Sequence, residues 1–181
     1  MTTKEEVIAE LERMVPLSPQ NDKGQFNIGD EMQAYAADFV EQIITGKTPT
    51  INGFPQELDT RVAAATLLAL QDVQVRDYAM GLITPDNEVV ASRLQWLTDV
   101  APDDYIAAPT TLLAITYYEK SDTDKALELL APALAKNYSL ANLLRRVFGS
   151  GWPVDAFNAM RQELHPKVTA GIFGESHDRS K

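Results

Sequence analysis

The chain has 181 residues, of which 45% are hydrophobic, contains no cysteine and only two histidines, and carries a formal net charge of -10 at pH 7. That length and composition suit one folded domain with a real core. The missing cysteines exclude disulfides, thiolate nucleophiles and cysteine metal sites, and the acidity repels a phosphate backbone, so direct nucleic-acid binding is not expected.

In chain order, Thr2 or Thr3 with Glu5 or Glu6 three residues on forms a capping box, and Val7, Ile8, Leu11, Met14 and Val15 continue on one helical face. Residues 1–16 are therefore read as an N-terminal helix and 17–27, rich in proline, glycine and polar residues, as a linker. A helix over about 28–45 carries Met32, Tyr35, Ala36, Phe39, Ile43 and Ile44 and ends at Gly46. Pro55 is expected to open a third helix, apolar nearly all round through Val62 to Leu70, which argues for a buried position. Asp72 caps a short helix through Leu82, and Thr84-Pro85 is expected to start another whose inner residues include Val89, Leu94, Trp96 or Leu97. Ala101 to Asp104 form a turn.

The stretch from Ala108 to Leu144 organises the rest. Pro109, Leu112, Leu113, Thr116 and Tyr117 define one helix. Asp122 or Ser121 caps the next, from Thr123 to Lys136, and Ser139 is expected to cap a third that ends at Gly149. The order Leu113-Ala114, Tyr117, Ala126, Leu130, Ala133 resembles one tetratricopeptide-type helix pair. No second copy appears one period earlier. Pro153 opens a last helix that His165-Pro166 is expected to stop, leaving 169–181 as a flexible tail. No strand alternation is visible. The expected fold is all-α, a single-domain helical bundle over 28–168 with one tetratricopeptide-like hairpin.

From Val73 onward the chain resembles an actinobacterial family catalogued as domain of unknown function 4192. The resemblance is carried by Val75-Arg76-Asp77, Trp96, Ala101-Pro102, Ala108-Pro109, Leu112 to Ala114, the Ala126 to Leu134 helix, Leu140-Ala141, Leu143-Leu144 and Trp152-Pro153. It spans about half of the chain and implies a helical domain of actinobacterial or actinophage origin. The sheet-forming N-terminal portion expected of that family is not evident before Gly53, and the resemblance supplies no catalytic residue.

Motifs with chemical potential give way to structural readings. Thr45-Gly46-Lys47-Thr48 lacks the upstream glycine and strand of a phosphate-binding loop. Asp122-Thr123-Asp124 and Asp86-Asn87-Glu88 lie at helix starts, where carboxylates favour the helix dipole over a metal. His165 and His177 have no partners for a zinc site, and no serine, histidine and acid set occurs. No catalytic residue, cofactor or metal is therefore assigned.

Partner-binding candidates are Arg76 and Asp77, a charged pair in an apolar helix whose members are not expected to pair with each other. Tyr118 and Lys120 are expected to face outward beside a buried Tyr117, and Arg145 and Arg146 form a local basic pair. Arg76 also has a structural reading, tying its helix to Asp72 or to another helix's C-terminus.

The leading expectation is a non-enzymatic protein-protein interaction module that uses the hairpin and its flanking helices as a groove. An acidic regulator blocking a basic surface of a nucleic-acid-handling host protein, and an enzyme with an unrecognised site, are the alternatives. A protein partner is expected, with no membrane contact. Homo-oligomerisation stays open. With no apolar run of membrane-spanning length and no leader, a cytoplasmic location is expected.

Overall fold

The computed structural model describes residues 1–14 and 28–174. The linker read at 17–27 and the tail from 175 onward lie outside the described residues. The chain is all-α, with nine α-helices and one two-residue strand pair among the described residues.

Helix α1 (Lys4–Met14) opens on the predicted capping box. The Thr3 N–H donates to Glu6 Oε2 at 3.0 Å and the Glu6 N–H to Thr3 Oγ1 at 3.3 Å. Its Val7 and Leu11 are buried with Phe39 and Ile43 of α2 (Gly29–Ile44), Val62 and Leu67 of α3 (Thr60–Ala69) and Leu97 of α5 (Glu88–Val100). The first helix therefore packs on the chain's own body. Helix α2 ends as expected, with Gly46 in the left-handed region at φ 78°.

Between α2 and α3 the sequence reading needs correction. Thr50–Ile51 (β1) and Phe54–Pro55 (β2) pair antiparallel, joined by Asn52 and Gly53, both at positive φ. Asn-Gly is the pair that a two-residue hairpin turn favours. Pro55 thus ends a strand instead of opening a helix, and α3 starts at Thr60, where the Asp59 side chain accepts the Val62 N–H. Asp72 caps α4 (Val73–Gly81) as expected.

Thr84-Pro85 also serves a turn, closed by the Asn87 N–H to the Thr84 carbonyl, and α5 begins only at Glu88 under an Asn87 cap. A short 3-10 turn (Asp103–Tyr105) leads into α6 (Ala107–Glu119). Helix α7 (Thr123–Ala135) follows under its Asp122 cap, then α8 (Ser139–Gly149). Ser139 does not cap: Tyr138 holds that position without a side-chain bond.

Helix α6 is the axis of the bundle. Leu112 to Thr116 are all buried, because α5, α7, α8 and α9 (Val154–Phe173) each pack against it. The larger core joins α2, α4 and α5 to α6, α7, α8 and α9 through Val40, Ala79, Leu94, Leu112, Leu130, Leu144 and Phe157. A smaller one joins α1 and α3 to α5.

Helix α9 overruns the predicted stop. Proline inside a helix costs about 3 kcal/mol, but the carbonyl that Pro166 leaves without an N–H belongs to exposed Gln162. Past it Ile172 is buried, and Phe173 meets the Tyr78 ring edge-on at 5.5 Å. Continuing the helix buries Ile172 and packs the partly buried Phe173 against the same cluster, so the last described turn belongs to the domain. Among the described residues no helix is long and apolar enough to cross a membrane.

Candidate protein-binding cleft

The inward residues of α5 are Val90, Leu94 and Leu97. That choice of face turns Val89 and Ser92 outward at helical spacing, against the expected inner place of Val89, and leaves Arg93 and Trp96 half-buried, Trp96 against the smaller core. With Glu88 and Leu58 they line an open cleft of about 470 Å³.

Beside the cleft, α2 approaches α5 closely. A Cβ placed on Gly46 would lie 2.2 Å from Val89 Cγ1, so glycine lets the end of α2 press against α5. From there the β-hairpin runs to Leu58, carrying Ile51 and Phe54 into solvent, the latter 71% exposed. Apolar side chains therefore dominate this edge. Of its two charges, Glu88 is held by Lys120 Nζ at 2.8 Å, whereas Arg93 has no ion-pair partner among the described residues.

The predicted candidates scatter. Lys120 is brought to the cleft by its bond to Glu88. Tyr118 is not exposed: it is 2% accessible, stacks on Phe148 at 4.0 Å and donates its hydroxyl to the Trp152 carbonyl at 2.6 Å. Burial pushes its phenol pKa up. The single-face assumption fails on a helix wrapped on all sides, and Tyr117 is the half-buried member.

Arg76 and Asp77 do pair, contrary to expectation. The guanidinium spans to Asp77 Oδ1 at 2.9 and 2.6 Å and donates to Tyr138 Oη at 3.2 Å. A long side chain folds back along the helix and reaches its neighbour's carboxylate, which Cα directions alone do not reveal. Burial works against the Arg76 charge, yet Tyr138 and Asp77 outweigh it and hold its pKa above the usual value. Arg76 thus ties α4 to the start of α8, and Asp72 instead accepts from Gln33. Arg145 and Arg146 are exposed on α8, without ion-pair partners among the described residues.

Sequence reasoning missed a buried ionic joint. Arg161 of α9 and Glu119 of α6, with side chains 1% and 0% exposed, bond through two N–H groups at 2.7 and 2.8 Å, and a third reaches the Met80 carbonyl at 2.8 Å. The partners are 42 positions apart, so no local pattern announces them. One turn on, His165 lies beside Tyr78, its Nδ1 buried without a hydrogen bond. Tyr78 in turn donates to Glu41. The guanidinium and both Glu119 oxygens are committed within the fold, which suits a structural joint better than a reaction centre. No group of three or more His, Cys, Asp or Glu able to hold a metal occurs among the described residues.

No curated protein and no solved structure matches the chain. The family described as Domain of unknown function (DUF4192) matches residues 2–154. The match includes α1, α2 and the hairpin, so the relationship reaches well before Val73, where the sequence reading began it. It stops at the first residue of α9. The chain is a member of the domain of unknown function 4192 family.

Proposed function

We propose that the chain is a non-enzymatic module that docks a protein segment in the α5 cleft. An apolar side chain of the partner rests on Leu58, Val89 and Trp96, and a carboxylate beside it meets Arg93. The observation that carries this reading is the open cleft lined by Leu58, Val89 and Trp96, beside an Arg93 guanidinium with no ion-pair partner among the described residues. Aromatic and arginine side chains dominate interaction hot spots, and the cleft's volume lies within the range of ligand-binding clefts.

The tetratricopeptide-like spacing of α6 and α7 supports a related role for the hairpin. We read it as the support behind α5 rather than as the groove itself, since α6 is buried within the bundle. The second reading, an acidic regulator covering a basic surface, draws on the net charge of -10.

A photo-reactive residue placed at Val89, with a control at exposed Gln162, tests the proposal in extracts of the source organism. A discrete protein adduct at 89 that disappears on Arg93→Glu supports cleft docking. Equal labelling at both positions, or indifference to Arg93→Glu, counts against it. A capture that collapses between about 50 and about 300 mM salt while ignoring Trp96→Ala favours the charge-driven reading.

A further inference from the structure

The carboxylates are unevenly distributed. From Leu129 to Val154 the chain carries Lys136, Arg145 and Arg146 and no Asp or Glu, within a protein whose net charge is -10. This span contains all of α8. Ala141, Leu144 and Phe148 form its buried face. Leu143 and Arg146, three residues apart, therefore point away from the core, and Arg145 lies exposed on the flank. Leu143 is 48% exposed.

The end of the helix adds an aromatic. Gly151 turns the chain at φ 72°, and the bond from Tyr118 Oη to the Trp152 carbonyl pins that backbone beside the Phe148 ring. Trp152 is thereby held at the C-terminal end of α8 with 41% of its surface in solvent. Two guanidiniums without an ion-pair partner among the described residues, a leucine and a fixed indole thus share the exposed part of one short helix and its cap.

We infer that this surface docks an acidic, amphipathic protein segment, separately from the α5 cleft. Carboxylates of the partner meet Arg145 and Arg146, and its apolar residues cover Leu143 and Trp152. A nucleic acid fits less well. Phosphates offer Leu143 nothing, and a polyanion longer than the patch meets the repulsion of the whole acidic chain. An acidic peptide supplies both kinds of contact within one short span.

The test uses the full chain, isotope-labelled for NMR. Three probes are titrated: a helix-forming peptide with glutamates flanking leucine and phenylalanine, the same peptide with every glutamate replaced by glutamine, and a short single-stranded DNA. The glutamate peptide is expected to bind saturably, shifting resonances of residues 139–154 and not those of 88–96. Arg145→Glu with Arg146→Glu should weaken it by about tenfold, and Trp152→Ala by several-fold. Both variants alter exposed side chains, and unchanged thermal unfolding verifies their fold. Absence of saturable binding, equal binding of the glutamine peptide, tighter binding of the DNA, or indifference to the double reversal would each overturn the inference.

Discussion

At the scale of single residues, the most consequential side chains are those whose partners lie far away in sequence. Arg161 and Glu119 satisfy each other out of water, and removing one strands the other. Arg161→Met should cost about 3 kcal/mol in urea unfolding, and adding Glu119→Leu should restore much of it. A loss confined to a few tenths would show that solvent reaches the joint. His165 provides a second check. Burial first, and then Arg161, lower its pKa, while Glu41 opposes them. The folded state thus prefers the neutral imidazole, so the unfolded chain binds the extra proton first as pH falls below about 6.5. Stability from this residue is complete above that pH and is lost on the way down to the lowered folded value. Thermal midpoints should fall between about pH 7 and about pH 5.5, and His165→Phe should flatten that slope, with His177 present in both chains. Parallel slopes would contradict the assignment.

At the scale of elements, the periodic helices were legible: α2, α4, α6, α7 and α8 lie where their apolar spacing places them. Pro55 and Pro85 each fit a helix start by local chemistry, but Pro55 is taken into a strand paired with Thr50 and Pro85 into a turn closed by the Asn87 N–H to the Thr84 carbonyl. The Asn52-Gly53 hairpin was readable from its dipeptide and was masked by the shortness of its strands. Tyr118 was misplaced because a helix enclosed on every side has no outer face. Arg161 and the cleft were invisible for another reason, since both depend on segments that meet only after folding. Close approach at Gly46 is testable at this scale. Gly46→Ala combines a positive φ with a Cβ 2.2 Å from Val89, and should cost more than about 1 kcal/mol. Val89→Ala in that background should relieve the clash and leave the backbone part. Full recovery would mean that the left-handed turn carries no strain.

At the scale of the whole molecule, α6 is the enclosed axis, and both proposed docking surfaces lie on helices that pack against it, α5 and α8. Helix α9 completes the core although the family match ends where it begins. Deleting residues 154–181 would expose Phe157's pocket and leave Glu119 without its cation. The shortened chain is therefore expected to lose cooperative thermal unfolding, whereas a sharp transition at the original midpoint would make α9 an accessory. The central claim, that this fold serves to hold a protein segment beside α5, is tested most directly by hydrogen-deuterium exchange on the chain alone and bound to the partner captured at Val89. Added protection should fall on Leu58 and on Glu88 to Trp96 while α7 stays unchanged. Protection elsewhere, with the α5 cleft exchanging as freely as before, would contradict the account.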